Sequence, residues 1–410
     1  QVVLQAQQKW QQFMETNCCR FFNFQYSAFM AHAIRTLAGF VGAQPNELVF
    51  VDNATSGVYS VLRSLDLKPT DSILYTSLGY GPIIKYISTL DLERVVVECA
   101  VPLKMDQILD DILAAVKPNT KLAILDHITS GTGAIIPLER IVSKLQAKGV
   151  FVMIDGAHAV GQIPLNLTAL NVDAYTSNCH KWLYSSKGCA LLWVNPKHAD
   201  RIHPLVCSSG TGHGMQAEFG WGGTKDYSPY LSVMTAIELY NFWGSDRIRS
   251  YNHNLAIEAA EHLMNVWGTK TVFADDSENP NSWKHHVGAM VALEIPGTET
   301  CANMDFALQL RRAMLIEKGV DMVCYPIKGK LYCRISAQIY LDKEDFVIFG
   351  EDLPRVVDML ILTNKAQEMN PKDANGKPLL TLPGQGRAGA VASSSNANAT
   401  SEGSGPEESH

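Results

Sequence analysis

The most informative part of the sequence is Phe151-Val152-Met153-Ile154-Asp155-Gly156-Ala157-His158. Its apolar half precedes an acid and a polar turn, which predicts a buried strand that carries Asp155 at its carboxyl end. A second strand-like run, Val172 to Ser177, leads directly into Asn178-Cys179-His180-Lys181-Trp182. Because open α/β sheets place their functional residues at the carboxyl ends of strands, we expect Asp155 and Lys181 to lie in one crevice.

An acid and a lysine at two strand ends are what pyridoxal phosphate (PLP) chemistry requires. The lysine bonds covalently to the cofactor's aldehyde, and the acid keeps the ring nitrogen protonated so that the ring accepts electrons. Taken singly, Asp155-Gly156 is typical of a turn and His180-Lys181 of a polar surface. Their occurrence together, each after an apolar run, favours the chemical interpretation.

Six stretches, spread through the chain up to its tail, carry a resemblance to a known family. They are Val51-Asp52-Asn53-Ala54-Thr55, Asp126-His127-Ile128-Thr129-Ser130, Asp155-Gly156-Ala157-His158-Ala159-Val160-Gly161, Ser177-Asn178-Cys179-His180-Lys181-Trp182, Gly223-Thr224-Lys225-Asp226-Tyr227-Ser228 and Arg334-Ile335-Ser336. In these stretches the chain resembles the class V aminotransferase branch of the fold-type I PLP enzymes. Within that branch it is most similar to plant-type L-cysteine desulfhydrases and isopenicillin N epimerase-like proteins.

The resemblance implies an α/β fold with a large, mostly parallel-sheet cofactor domain and a smaller C-terminal α+β domain. We expect residues 1–27 to form an N-terminal segment packed on the small domain, residues 28–245 the large PLP-binding domain, and residues 246–366 the small domain. Residues 367–410 are rich in Gly, Ser, Asn, Pro and Glu, which predicts a disordered tail.

A small, hydroxyl-rich turn, Asn53 to Gly57, opens a predicted helix. Free N–H groups and the helix dipole make such a turn an anion site, although a plain N-cap is the commoner occurrence. The resemblance assigns the following residues to the PLP phosphate: Ala54, Thr55, Ser56, Ser177, His180 and, reaching across a homodimer interface to the partner's cofactor, Thr224.

The remaining cofactor contacts also follow from the resemblance. It implies that Lys181 anchors PLP and then acts as the base at the substrate Cα, while Asp155 pairs with the ring nitrogen. His158 is expected to bond the phenolic oxygen of the ring. Tyr80 lies between two glycines after a strand, where an aromatic ring stacks on the cofactor; an ordinary turn tyrosine is the alternative.

Further residues near strand ends carry expectations. Thr129 or Ser130 is placed to hydrogen-bond a cofactor oxygen or the substrate, and His127 is equally well interpreted as a core histidine. Arg334 ends a Cys/Ile-rich run, and its guanidinium fork suits a substrate carboxylate better than a surface salt bridge.

The proposed reaction class follows from what surrounds Arg334. Cysteine desulfurases need a nucleophilic cysteine on a mobile loop before the carboxylate-binding arginine, whereas Cys324 and Cys333 lie in strand-like runs. We therefore expect a PLP-dependent C–S lyase that performs α,β-elimination on cysteine or a cysteine S-conjugate or sulfoxide. The alternatives are an epimerase or aminotransferase, a cysteine desulfurase and, last, a binding protein without activity.

Composition excludes several other classes. The chain has 410 residues and a net charge of −7 with no basic run, which argues against a nucleic-acid partner. No apolar stretch approaches the roughly 20 residues of a membrane helix. The nine cysteines show no Cys-x-x-Cys spacing, which predicts no metal site and a reducing, cytoplasmic location. The expected partners are a small amino-acid substrate and a second copy of the chain.

Overall fold

The computed structural model describes residues 1–206, 208–274 and 281–368. Its strands are β1 (Leu48–Val51), β2 (Ser72–Thr76), β3 (Glu93–Val97), β4 (Thr120–Asp126), β5 (Phe151–Asp155), β6 (Ala174–Asn178), β7 (Ala190–Val194), β8 (Met290–Glu294), β9 (Val323–Ile327) and β10 (Lys330–Ser336). The first seven strands form one sheet in the order β1-β7-β6-β5-β4-β2-β3. Only β7 runs against its neighbours, so this sheet is mostly parallel.

Helices pack against the strands, both in this sheet and in the sheet formed by β8, β9 and β10. Their bounds are α1 (Val2–Thr16), α2 (Cys18–Arg20), α3 (Tyr26–Val41), α4 (Ala54–Ser64), α5 (Gly81–Ile87), α6 (Met105–Ala115), α7 (Val142–Ala147), α8 (Leu167–Leu170), α9 (Cys179–Trp182), α10 (Met215–Gly220), α11 (Ser228–Trp243), α12 (Ser245–Trp267), α13 (Met304–Lys318) and α14 (Lys343–Glu368). Strands β4 to β7 are buried almost throughout, as expected of a sheet covered on both faces.

The core between the sheet and α4 explains why the strands deliver polar residues at their ends. On β4 the residues Leu122 and Ile124 belong to this core, as do Phe151 and Met153 on β5. Each of these alternating apolar rows continues into an acid at the carboxyl end of its strand, because side chains two residues apart share a face. The apolar side chains therefore anchor each strand in the core, and the acid at the end of the strand faces the crevice.

Strands β8, β10 and β9 form a second, antiparallel sheet with β10 at its centre. Cys333 pairs with Cys324 across β10 and β9, and both are buried. Because neighbouring side chains on a strand alternate between faces, Arg334 points to the face opposite that of Cys333.

Several predicted boundaries differ from the observed ones. Helix α4 begins at Ala54, directly after its cap, because Asn53 accepts the Ser56 N–H. The amphipathic pattern of residues 138–148 predicts one helix, but the chain forms a 3₁₀ turn and then α7, because Ile141 leaves helical geometry with φ −125°. The apolar run from His286 to Ile295 predicts one strand, but the strand begins only at Met290, since His286 ends a 3₁₀ turn.

The N-terminal segment packs against the large domain's α11, and its π-helical turn Phe21–Gln25 contacts Trp221 and Tyr227. The chain divides into units of residues 1–358 and 359–410, and the second unit contains the last turns of α14. The predicted domain boundaries stay a prediction, and residues 369–410 of the predicted tail lie outside the described residues. Among the described helices, none combines the length and apolar character that crossing a bilayer requires.

Candidate active site

Lys181 lies on α9, the short helix that follows β6, and its amine meets a histidine from the turn after β5. The Lys181 Nζ is 3.0 Å from His158 Nε2. The other ring nitrogen, Nδ1, accepts the Trp182 Nε1–H at 3.3 Å. Because an indole nitrogen can only donate, this bond places the His158 proton on Nε2. His158 therefore donates to Lys181, which requires the amine to be neutral.

Burial favours the same protonation states. Desolvation lowers the pKa of Lys181 to about 8, and Arg334 contributes in the same direction while Asp155 opposes it. Desolvation, then the charges of Lys181 and Arg334, hold the pKa of His158 well below its usual range. The site thus contains a neutral imidazole and a lysine that loses its proton near neutral pH, which is the state in which an amine attacks an aldehyde.

Asp155 is 5% exposed, and its Oδ1 accepts the Ala157 N–H at 3.0 Å. Burial raises the pKa of Asp155, and both this hydrogen bond and the charge of Lys181 act against that rise. The turn after Asp155 needs glycine, because a Cβ at Gly156 would lie 2.3 Å from the Tyr175 ring. A buried carboxylate beside a lysine suits a cationic ring nitrogen.

The predicted phosphate turn lies at the N-terminus of α4, which is held close to the strand ends. A Cβ at Gly57 would lie 2.3 Å from Thr176 Oγ1 on β6, so only glycine allows this packing. Within the turn the Ala54 N–H donates to Asn178 Oδ1 at 2.8 Å and the Ser56 N–H to Asn53 Oδ1 at 2.9 Å. Among the described residues no hydrogen-bond partner is present for the Thr55 side chain, so within this turn its hydroxyl is the group most available to bind an anion.

Ser177 and His180 also lie at this edge, and both already make hydrogen bonds to other residues. The buried Ser177 hydroxyl donates to the Gly156 carbonyl at 2.5 Å and accepts the Val160 N–H at 3.1 Å. His180 Nδ1 lies 2.8 Å from the Cys189 carbonyl, which leaves Nε2 for a ligand. Phosphate contacts by Ser177 and His180 stay predictions.

Thr129, Tyr80 and Thr224 occupy three different environments. The buried Thr129 hydroxyl lies 2.5 Å from Thr132 Oγ1 and accepts the Ala134 N–H at 2.9 Å, so it shapes its own loop. Tyr80 precedes α5 with 41% of its surface exposed, which leaves its ring free to cover a ligand. Thr224 is exposed, and the next residue, Lys225, binds Asp52 Oδ1 at 2.6 Å beside the phosphate turn. The roles of all three stay predictions.

Arg334 connects the small sheet to the loop after β4. Its Nη1 donates to the Ser130 carbonyl, and its Nε is buried without a partner among the described residues. Tyr325 on β9 donates to the neighbouring Gly131 carbonyl at 2.5 Å. A buried guanidinium N–H without an acceptor is costly, so this position suits an anionic ligand such as a carboxylate.

Three residues near the site escaped the sequence analysis as functional residues: Trp182, Asn178 and Asp126. Asn178 and Asp126 both end buried strands, and that position was the available signal. Trp182 gave no signal, because its role depends on which ring nitrogen of His158 it meets. His127 is a core histidine: it bonds the Tyr175 hydroxyl at 2.7 Å, and burial lowers its pKa to about 4.

These residues fit PLP. A buried lysine of lowered pKa, a buried carboxylate, a helix N-terminus with an available threonine and an unpartnered guanidinium N–H would supply the anchor, ring-nitrogen partner, phosphate site and carboxylate clamp. Within the described residues no cluster of His, Cys, Asp and Glu is arranged to hold a metal ion.

Comparison with known proteins agrees with this geometry. A model of the family described as aminotransferase class-V matches residues 1–346. The chain is 28% identical to the putative L-cysteine desulfhydrase 1 of Oryza sativa subsp. japonica, over 84% of this chain and 78% of that protein. It is 26% identical to the hercynylcysteine sulfoxide lyase of Schizosaccharomyces pombe (strain 972 / ATCC 24843), over 76% of this chain and 79% of that protein.

Among solved structures, the complex between the cystine C–S lyase C-DES and its reaction product cysteine persulfide superposes with a TM-score of 0.71. The two chains are 20% identical, and the match covers 87% of this chain and 94% of the other. At this identity the likeness shows the fold, and it confirms the predicted α/β class with a large, mostly parallel sheet and a smaller C-terminal part.

Proposed function

The chain belongs to the class V aminotransferase family, and from this membership we propose that it is a PLP-dependent C–S lyase. Its substrate is cysteine or a cysteine S-conjugate or sulfoxide, which it cleaves by α,β-elimination. The named relatives support this reaction class, since both the desulfhydrase and the sulfoxide lyase act on cysteine-type compounds by name.

Each role falls to a residue already described. When bound, PLP supplies the electron sink for the electron pair left at the substrate Cα. Arg334 holds the substrate carboxylate, and Lys181 takes the Cα proton. Asp155 keeps a negative charge at the ring nitrogen, and Tyr80 covers the ring. The Cβ–S bond then breaks with departure of the thiolate, or of a sulfenate when the substrate is a sulfoxide, and hydrolysis of the released enamine yields pyruvate and ammonia.

One arrangement carries this proposal: the Lys181 amine, with its lowered pKa, lies in a buried site with the carboxylate of Asp155, and Arg334 adds an N–H without a partner among the described residues. The charge of Arg334 acts on His158, which contacts Lys181, so the guanidinium belongs to the same electrostatic environment. An amine that takes a proton from Cα and a guanidinium that holds the carboxylate must act on one small molecule, which this arrangement allows.

Sulfur leaves in an elimination and is not taken up by the protein, because the cysteines beside Arg334 are unsuited to attack. Cys324 and Cys333 pair across two strands, on the face of the sheet opposite that of Arg334. Burial raises the pKa of Cys324 to about 12 and that of Cys333 further still. A buried thiol with a raised pKa is a poor nucleophile, so the desulfurase alternative lacks its reactive group at these positions.

The test supplies cysteine and its S-conjugates without a thiol acceptor. We expect sulfide or free thiol to appear in step with pyruvate and ammonia. The double variant Cys324→Ser, Cys333→Ser should retain this activity, whereas Lys181→Ala should lose it. Dependence on either cysteine would identify a desulfurase. Inversion at Cα without pyruvate would identify an epimerase, and transfer of the amino group to a keto acid an aminotransferase.

The proposal includes assembly and location. We propose a homodimer in which Thr224 serves the partner's phosphate, supported by the exposure of Thr224 and by a nearby open cavity of about 740 Å³ that Phe22 and Trp221 help to line. We propose a cytoplasmic location because all eight cysteines in the described part of the chain are free thiols. Light scattering and cell fractionation test these two points.

A further inference from the structure

Asp126 and Asp155 are direct neighbours at the ends of adjacent parallel strands. They are Cα partners in the register of β4 and β5, and the His127 N–H donates to the Asp155 carbonyl at 3.0 Å. Paired residues on adjacent strands project to the same face, so the two carboxyl groups lie side by side. Asp126 is 6% exposed and Asp155 5% exposed. Two carboxyl groups are thus buried next to each other.

The two acids differ in what stabilises their charge. Asp155 accepts the Ala157 N–H and lies in the field of Lys181. Apart from its own backbone amide, no described residue donates a hydrogen bond to the Asp126 carboxyl. Hydrogen bonds to the ionised form favour that form, so the negative charge belongs on Asp155.

Two adjacent buried carboxylates do not both ionise readily. Burial first, and then the charge of Asp155, hold the pKa of Asp126 well above its usual range, against a smaller opposing effect of Lys181. Asp155 and Lys181 are the titratable groups that act on Asp126. The sequence alone shows two similar acids, whereas the structure assigns them different protonation states.

We propose that Asp126 is a positioning residue that keeps a proton beside Asp155, so that Asp155 is the single negative charge presented to the ring nitrogen of PLP. This inference rests on the proposed function. The Asp126 O–H is available to donate toward the Asp155 carboxylate, and such a bond orients that carboxylate and stabilises its charge. Asp126 itself stays neutral through the reaction.

The decisive measurement is infrared spectroscopy of the purified protein, with and without PLP, in the region where a protonated carboxyl group absorbs. We expect this band in both samples at neutral pH, and we expect Asp126→Asn to remove it from the sample with PLP. The matched control is Asp173→Asn. Asp173 is also buried and near a strand end, but its contacts with His198 and Lys197 lower its pKa to about 2, so this variant should leave the band unchanged.

PLP affinity and the pH profile of the bound cofactor's visible absorbance give the second readout. Asp126→Asn keeps a neutral donor of the same shape, so its PLP dissociation constant should stay within about threefold of the unmodified protein. Asp126→Ala removes the donor, so its PLP dissociation constant should rise about 10- to 100-fold, and the absorbance should titrate at a different pH. A purely structural role would leave that pH profile unmoved in Asp126→Ala.

Three results would overturn the inference: absence of the carboxyl band from the unmodified protein, survival of the band in Asp126→Asn with PLP, or a loss of PLP binding as large in Asp126→Asn as in Asp126→Ala. The last result would mean that Asp126 acts through a negative charge. Failure of the proposed function is distinguishable, because a chain that binds no PLP would show no visible absorbance. The infrared band of the sample without PLP would then still show whether the pair of acids holds a proton.

Discussion

Lys181 Nζ lies 3.0 Å from His158 Nε2, and the ring nitrogen on the far side of that histidine accepts the Trp182 indole N–H. Two consecutive residues of α9 therefore contact the same imidazole, one at each nitrogen. Since the indole occupies Nδ1, the proton on Nε2 faces the amine and disfavours an ammonium ion there. This arrangement prepares Lys181 to react with an aldehyde.

The first prediction concerns the cofactor's attachment. Borohydride reduction of the protein with PLP should fix the cofactor on Lys181, because burial lowers the pKa of its amine to about 8 and so increases the neutral fraction that reacts with an aldehyde. Peptide mass analysis measures the position. Lys187→Ala, which changes an exposed lysine nearby, should leave the labelling unchanged, and Lys181→Ala should abolish it. Labelling of another lysine would refute the assignment.

The second prediction follows from the pKa of about 8 for Lys181 against an ordinary value of 10.5. Between about pH 8 and pH 10.5 the Lys181 amine binds more protons in the unfolded chain than in the folded one, so the free energy of unfolding rises with pH through this range. Below about pH 8 the amine is charged in both states, and its burial then destabilises the fold by the full amount. Without PLP, the free energy of unfolding of Lys181→Met at pH 7 should therefore exceed that of the unmodified protein by up to about 3 kcal/mol, as measured by denaturant titration. The increase in the free energy of unfolding should be smaller at pH 10, and Lys187→Met should show no increase at either pH.

The third prediction tests the tautomer of His158. Trp182→Phe removes the indole N–H, so the imidazole can carry its proton on Nδ1 and accept a hydrogen bond from a Lys181 ammonium. The pKa of Lys181 should then rise by about one unit, the equivalent of one hydrogen bond to a charged group. The rate of PLP capture as a function of pH measures this rise. Trp193→Phe removes a buried indole N–H that binds Glu47 at 3.0 Å and should leave the profile in place.

The fourth prediction concerns Asp155. Asp155→Asn keeps the shape and removes the charge that pairs with the ring nitrogen, so PLP should remain bound, if more weakly. Exchange of the substrate's Cα hydrogen with deuterated water should slow roughly a thousandfold, because an ion pair worth several kcal/mol is lost. Proton NMR of the substrate follows the exchange. Near-normal exchange in Asp155→Asn would rule out this role.

The fifth prediction concerns Thr224. If Thr224 serves the partner's site, mixing inactive Lys181→Ala chains with Thr224→Ala chains forms hybrid dimers in which one site has both groups. Equal mixing should restore about a quarter of full activity, since half of the dimers are hybrids with one working site. Because Lys225 binds Asp52 beside the phosphate turn of its own chain, the alternative is a role within one subunit. In that case mixing would restore nothing.

The local sequence pattern was enough to predict the strand that ends in Asp155 and the strand that leads to Lys181. An apolar run such as Phe151 to Ile154 is buried because its side chains are excluded from water. A polar residue that ends such a run then faces a crevice or solvent. Asp155 ends β5 and Lys181 follows β6 directly, as the pattern predicts. The turn at Asn53 likewise opens a helix, because a side-chain cap is a local interaction.

The protonation states and partners of these groups depend on contacts between residues that are far apart in the chain. Arg334 meets the Ser130 carbonyl across a separation of 204 residues, and Asp126 meets Asp155 only because β4 and β5 pair in one register. Protonation states depend on burial and on charges a few ångströms away, and neither quantity is encoded in a local pattern. For the same reason the sequence showed a histidine and a tryptophan near Lys181, but only the packing of α9 against the turn after β5 determined which imidazole nitrogen holds the proton.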